Sequence, residues 1–128
     1  MIYILVGAGG AAGSLLRYLL GNLLLGLNPA AFPYGTLAAN LAGSFLLGLL
    51  TETWLKNKRI PPGLAAAVGT GMIGSFTTFS AFSVETIGLL SEDQFTLAFL
   101  YFFFSAGGGL AFAWAGLNVC NLKGDRQN

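Results

Sequence analysis

The sequence predicts an all-α integral membrane protein with four transmembrane helices, and three observations lead there. Hydrophobic side chains make up 55% of the 128 residues, against only six basic and five acidic ones, a balance that soluble domains of this size do not carry. The apolar residues fall into four runs near the ~20 that cross a bilayer. The breaks between the runs hold all four prolines, and together with the C-terminal tail they hold most of the charge. Several function classes drop out at once. A net charge of +1, with no basic residues interleaved among aromatics, does not suit a nucleic-acid partner. There is no histidine and a single cysteine, Cys120, so an internal disulfide, a Cys or His metal site and His-based catalysis are all excluded. Cys120 reads as a small apolar residue, and nothing predicts an enzyme.

The first span is Ile2 to Leu25, broken only by Ser14, Arg17 and Asn22, and Gly26-Leu27-Asn28-Pro29 signals a turn after it. It has no basic lead, so it reads as a mature span and not a secretory signal. The second runs from Tyr34 to Leu55. Lys56, Lys58 and Arg59 then crowd with Pro61 and Pro62, which places that loop outside the hydrocarbon. The third span is about Leu64 to Leu90 and the fourth about Phe95 to Asn118, joined by the acidic hairpin Ser91-Glu92-Asp93-Gln94. Residues 1–120 thus form one transmembrane domain, and 121–128 a polar tail.

The third span is unlike the others, because Gly69, Gly71 and Gly74 are followed by hydroxyls from Ser75 to Ser83 where the hydrocarbon is deepest. Glycine weakens a helix, so an interruption near the middle is expected. Broken backbone at membrane depth survives where it lines a cavity or is buried in protein, and freed carbonyls there can meet a cation. The other reading is a continuous helix whose hydroxyls bond back to carbonyls one turn earlier.

Polar side chains inside a span are costly, about 2.5 to 3.5 kcal/mol for an arginine on insertion scales. Arg17 lies close enough to the end of its span to reach the interface, so a structural and a functional role both stand. Thr36, Asn40 and Gly43 or Ser44 share one stripe of the second helix, where the Asn40 amide offers two donors to water or an anion. Phe76, Phe79 and Phe82 recur at three-residue spacing beside Ser80 and Ser83. Packing is the ordinary reading of such aromatics, although the electropositive ring edge can also meet an anion. Tyr101 and Ser105 make a polar pair in the fourth span. Glu85, near the end of the third, reads as a bonding partner for a neighbouring helix, with a transporter carboxylate as the sharper alternative.

Taken in order, Gly10-x-x-Gly13-x-x-x-Arg17-Tyr18, Gly35-Thr36-Leu37-x-x-Asn40-x-x-Gly43 and Gly71-x-x-Gly74-x-x-Thr77-Thr78-Phe79-Ser80-x-Phe82-Ser83-x-Glu85 resemble the bacterial Fluc (CrcB) fluoride channels. The resemblance extends from about Gly7 to Ser105. It implies a four-helix protomer that pairs antiparallel with a second copy as a dual-topology homodimer in the inner (plasma) membrane. Each dimer would hold two pores that export fluoride passively and relieve its toxicity. By the same resemblance Phe79 and Phe82 line the anion path with their ring edges, and Asn40 donates to fluoride. Thr36 lines the pore at its helix start, Ser80 and Ser83 stand beside it, Tyr101 and Ser105 fall on the polar track, and Arg17 sits in the vestibule. The carbonyls of Gly74 and Thr77 match those that hold a central structural sodium ion. Two departures stand out. Ala81 occupies a position where the family usually has a hydroxyl, and Gly109 one where some members have serine.

Physically, fluoride is small and strongly hydrated, so a narrow path must replace its water with good donors. A bound cation would raise the local positive potential without a lysine in the path. Two rivals differ in kind. A proton-coupled exporter of the small multidrug type needs a carboxylate in the first helix, and none is there. A structural subunit without a pore would have no use for polar stripes on three helices.

Overall fold

Among the described residues four helices are long and apolar enough to cross a membrane. The computed structural model describes residues 1–25, 32–56 and 60–124, and gives only the backbone of 55, 56 and 120–124. The turn predicted at Gly26–Pro29, the cations Lys58 and Arg59 and the last tail residues lie outside the described residues, as do the side chains of Lys56, Cys120 and Lys123. The first two spans are α1 (Ile2–Leu25) and α2 (Tyr34–Lys56). The third is built in pieces: α3 (Pro62–Ala66), a π-helical segment (Ala67–Ile73), α4 (Gly74–Phe76) and α5 (Phe79–Ser91). The fourth, α6, runs from Phe95 to Gly124.

Local chemistry explains the boundaries. Pro62 opens α3 in the first turn, where its missing N–H forfeits no helical bond. Between α5 and α6 the carbonyls of Gly88 and Leu89 accept from the amides of Glu92 and Gln94 at 3.1 and 2.9 Å. Asp93 takes the left-handed conformation there, with φ 57°, which aspartate tolerates better than most residues.

The helices meet where side chains are smallest. The most extensive pairing is α2 with α6, and Gly48 lies on the backbone of Ala113 while Gly116 lies on that of Phe45. On the other side α1 packs against the π-helical segment, with Gly13 on the Met72 backbone. In lipid no apolar driving force brings helices together, so such backbone contact and interhelical hydrogen bonds carry the association. The buried core is correspondingly small: Ala39, Ala67, Ile73, Leu89, Ala98 and Tyr101. Large apolar residues such as Phe103 and Trp114 face outward, toward what would be hydrocarbon.

Candidate functional site

The backbone of the third span leaves the helix at Thr77 (φ −78°, ψ 158°) and Thr78 (φ −153°, ψ 126°) and re-enters it at Phe79. The Thr78 hydroxyl caps α5 by accepting from the Ala81 amide at 3.2 Å, as N-cap threonines do. The Thr78 peptide is met from α2, because its N–H donates to Asn40 Oδ1 at 2.7 Å and its carbonyl accepts from Asn40 Nδ2 at 2.9 Å. Close approach is possible because Gly43, on the same face of α2, leaves room for the Thr77 methyl.

These bonds remove two donors from the helical ladder. In a continuous helix the Gly74 carbonyl would accept from the Thr78 amide and the Thr77 carbonyl from the Ala81 amide. Asn40 and the Thr78 hydroxyl hold those amides instead. Gly74 O is left with a long 3.5 Å approach from the Thr77 hydroxyl, which also donates to Ile73 O at 3.1 Å. Among the described residues no three His, Cys, Asp or Glu side chains gather, so carbonyl and hydroxyl oxygens are what this region offers a cation. Gly74, Thr77, Asn40, Ser44 and Phe79 line one open cavity of about 320 Å³ beside the break.

One end of the protomer centres on Glu85. Its two oxygens accept from the Thr36 hydroxyl at 2.8 Å and the Tyr101 hydroxyl at 2.7 Å, which ties α5 to α2 and α6. Tyr101 is fully buried, packed against Phe82 at 5.0 Å and edge-on to Phe32 at 5.5 Å. A second cavity, about 270 Å³, opens here between α1 and α2, lined by Arg17, Tyr18, Asn22, Tyr34, Thr36 and Glu85 among others. Arg17 is half-buried on its wall, where an anion entering the cavity would meet a guanidinium.

The sequence-predicted residues thus divide between two neighbourhoods. Arg17 and Thr36 border the cavity at the Glu85 end, with Tyr101 behind Glu85, whereas Asn40, Gly74, Thr77 and Phe79 border the cavity at the break. Phe79 is 80% exposed and its ring lies 5.8 Å from that of half-buried Phe82. Ser80 Oγ is 3.2 Å from Thr78 Oγ1, and Ser83 donates back to the Phe79 carbonyl at 3.0 Å. The Ser105 oxygen is buried with no partner, an uncommon state that leaves it open to a ligand or water. Over Ser44 there is room at Gly109, where an added β-carbon would sit 3.7 Å from the serine oxygen. Sequence reasoning assigned no role to Thr78. The sign was the pairing of an intramembrane asparagine with a Thr-Thr step where a helix weakens.

Comparison with known proteins finds a family for the chain. The family described as CrcB-like protein, Camphor Resistance (CrcB), matches residues 4–117. The chain belongs to that family. Within it, a Bacillus thuringiensis subsp. konkukian protein named fluoride-specific ion channel FluC 1 is 46% identical over 119 residues, covering 93% of this chain and 87% of that one. A Geobacillus kaustophilus protein named fluoride-specific ion channel FluC 2 is 43% identical over 116 residues, covering 91% and 90%. A Rhizobium meliloti protein named fluoride-specific ion channel FluC is 44% identical over 114 residues, covering 89% and 91%. With four helices able to cross a membrane and a family of channels around it, the chain is a multi-pass membrane protein and an ion channel, not an enzyme.

Proposed function

We propose that this protein is a fluoride channel of the cell's inner membrane that lets fluoride leave passively and so relieves its toxicity. What carries the reading is likeness over 93% of the chain to a protein named a fluoride-specific ion channel. The side chains near the two cavities are compatible with it. Arg17 would draw the anion into the cavity at the Glu85 end, and Asn40 and the ring edges of Phe79 and Phe82 would receive it near the break. Ser80 and Ser105 would add hydroxyl donors, with Ser83, Thr36 and Tyr101 lining the same route. Because Phe79 stands exposed on one protomer, the path would be completed by a second copy, in an antiparallel homodimer with two pores.

The break would carry a structural sodium ion between the two copies. Sodium is a hard cation and takes oxygen ligands, as calcium and magnesium do, and the carbonyls of Gly74 and Thr77 have lost the helical partners that would otherwise occupy them. Its charge would hold the two breaks together and raise the potential along the path. The test is efflux from liposomes containing the purified protein. Fluoride should leave rapidly and chloride should stay; liposomes that retain their fluoride would overturn the reading.

A further inference from the structure

A residue's own N–H and C=O point to the same side only when its backbone is extended; in a helix they point in opposite directions along the axis. Thr78 is extended and presents both groups to α2. The Asn40 amide meets them with its oxygen on the N–H and its nitrogen on the carbonyl, as an adjoining strand would in an antiparallel ladder. This pairing fixes which end of the amide is which, since the peptide N–H can donate only to the amide oxygen and the carbonyl can accept only from the amide nitrogen. It also cannot form if Thr78 is helical. We infer that Asn40 is the pin that holds the third span open at Thr78, supplying in the membrane the backbone partners that water would give elsewhere.

Two consequences follow. Without the pin the Thr78 N–H and carbonyl would both lose their partner, and the break would no longer be fixed beside the carbonyl it releases. One Asn40 N–H is committed to Thr78, so one remains for a ligand in the adjoining cavity. The pin stands on the fold alone, while the count of donors left for an anion rests on the fluoride reading. Asn40 is in this sense a positioning residue as well as a pore residue.

Amide hydrogen exchange of the purified protein tests the pin without any flux measurement. In the unaltered protein the Thr78 amide should be protected although it has no backbone partner, and rapid exchange there would overturn the inference. Asn40→Ala should speed exchange at Thr78 by about tenfold, the size expected when one buried bond is lost. Asn40→Asp keeps the shape of the side chain and the acceptor for the N–H, but sets an anion against the Thr78 carbonyl. It should alter exchange across residues 74–81 while α1 and α6 keep wild-type rates, and it covers the case in which the alanine variant does not fold. Wild-type exchange through 74–81 in Asn40→Asp would mean that Asn40 only faces the path and does not hold the break. Absence of fluoride efflux from the wild-type protein would sink the pore reading and leave the pin standing.

Discussion

A hydroxyl has one proton to donate, and both Thr36 and Tyr101 direct theirs at Glu85. While that arrangement holds, the two oxygens turn lone pairs toward any visitor, and Ser83 likewise spends its proton on the Phe79 carbonyl, so donors for an anion must come from Asn40, Arg17, Ser80 and Ser105. Tyr101→Phe removes one partner from a half-buried carboxylate on the cavity wall. It should lower stability by about 1–3 kcal/mol, read as a fall in the thermal unfolding midpoint in detergent; an unchanged midpoint would mean that water replaces the phenol. Phe79 and Phe82 should separate by the same measurement. Phe79 is mostly exposed, so Phe79→Ile should leave protomer stability within about 0.5 kcal/mol and yet slow fluoride flux. Phe82 touches the rings of Tyr101, Phe102 and Phe79, so Phe82→Ile should slow flux and also cost about 1 kcal/mol of aromatic packing. Normal flux in both variants would return the pair to a packing role.

At the scale of elements, the four spans were legible because the bilayer demands long apolar runs and forces charge and proline out of them. The chemistry of the third span was legible only in part. Its glycines marked a weak helix, but Gly69 and Gly71 lie in the π-helical segment and the extended residues are Thr77 and Thr78. Propensity locates where a helix is easily deformed, whereas the residues that leave it are chosen by a partner 38 positions away in sequence, the Asn40 amide. The tie of Glu85 to two other helices was likewise readable as a role and not as a pairing. Glycines divide in the same way, by what lies opposite them. Gly116 rests on the Phe45 backbone, while Gly107 has no atom of the protomer within 4 Å of an added β-carbon. Gly116→Val should therefore force α2 and α6 apart and lower the unfolding midpoint sharply, whereas Gly107→Ala should match or exceed wild type, since alanine favours a helix by up to about 1 kcal/mol. Equal midpoints for the two variants would mean that the α2–α6 contact does not depend on backbone approach.

For the whole molecule the open question is how it sits in the membrane. With four spans, the loop after α2 and the tail after α6 share one side, and between them they carry Lys56, Lys58, Arg59, Lys123 and Arg126. The loops on the other side, residues 26–33 and 91–94, carry no lysine or arginine. Cationic loops stay cytoplasmic, so this bias directs both termini inward. An antiparallel homodimer needs the opposite orientation as well, in equal amount. Either assembly overrides the bias, or in the cell the chain pairs with an oppositely oriented homologue and forms a homodimer only when expressed alone. The first is favoured, because the run from Gly71 to Glu85 departs from the family pattern only at Ala81 and asks no partner to supply missing motif residues. The orientations can be counted in cells expressing only this chain, with Cys120→Ser to remove the native thiol and Gln127→Cys to mark the tail. A membrane-impermeant maleimide should label about half of the molecules if insertion is dual. Complete protection, with fluoride efflux retained, would refute the antiparallel homodimer and require a channel built from copies that all face one way.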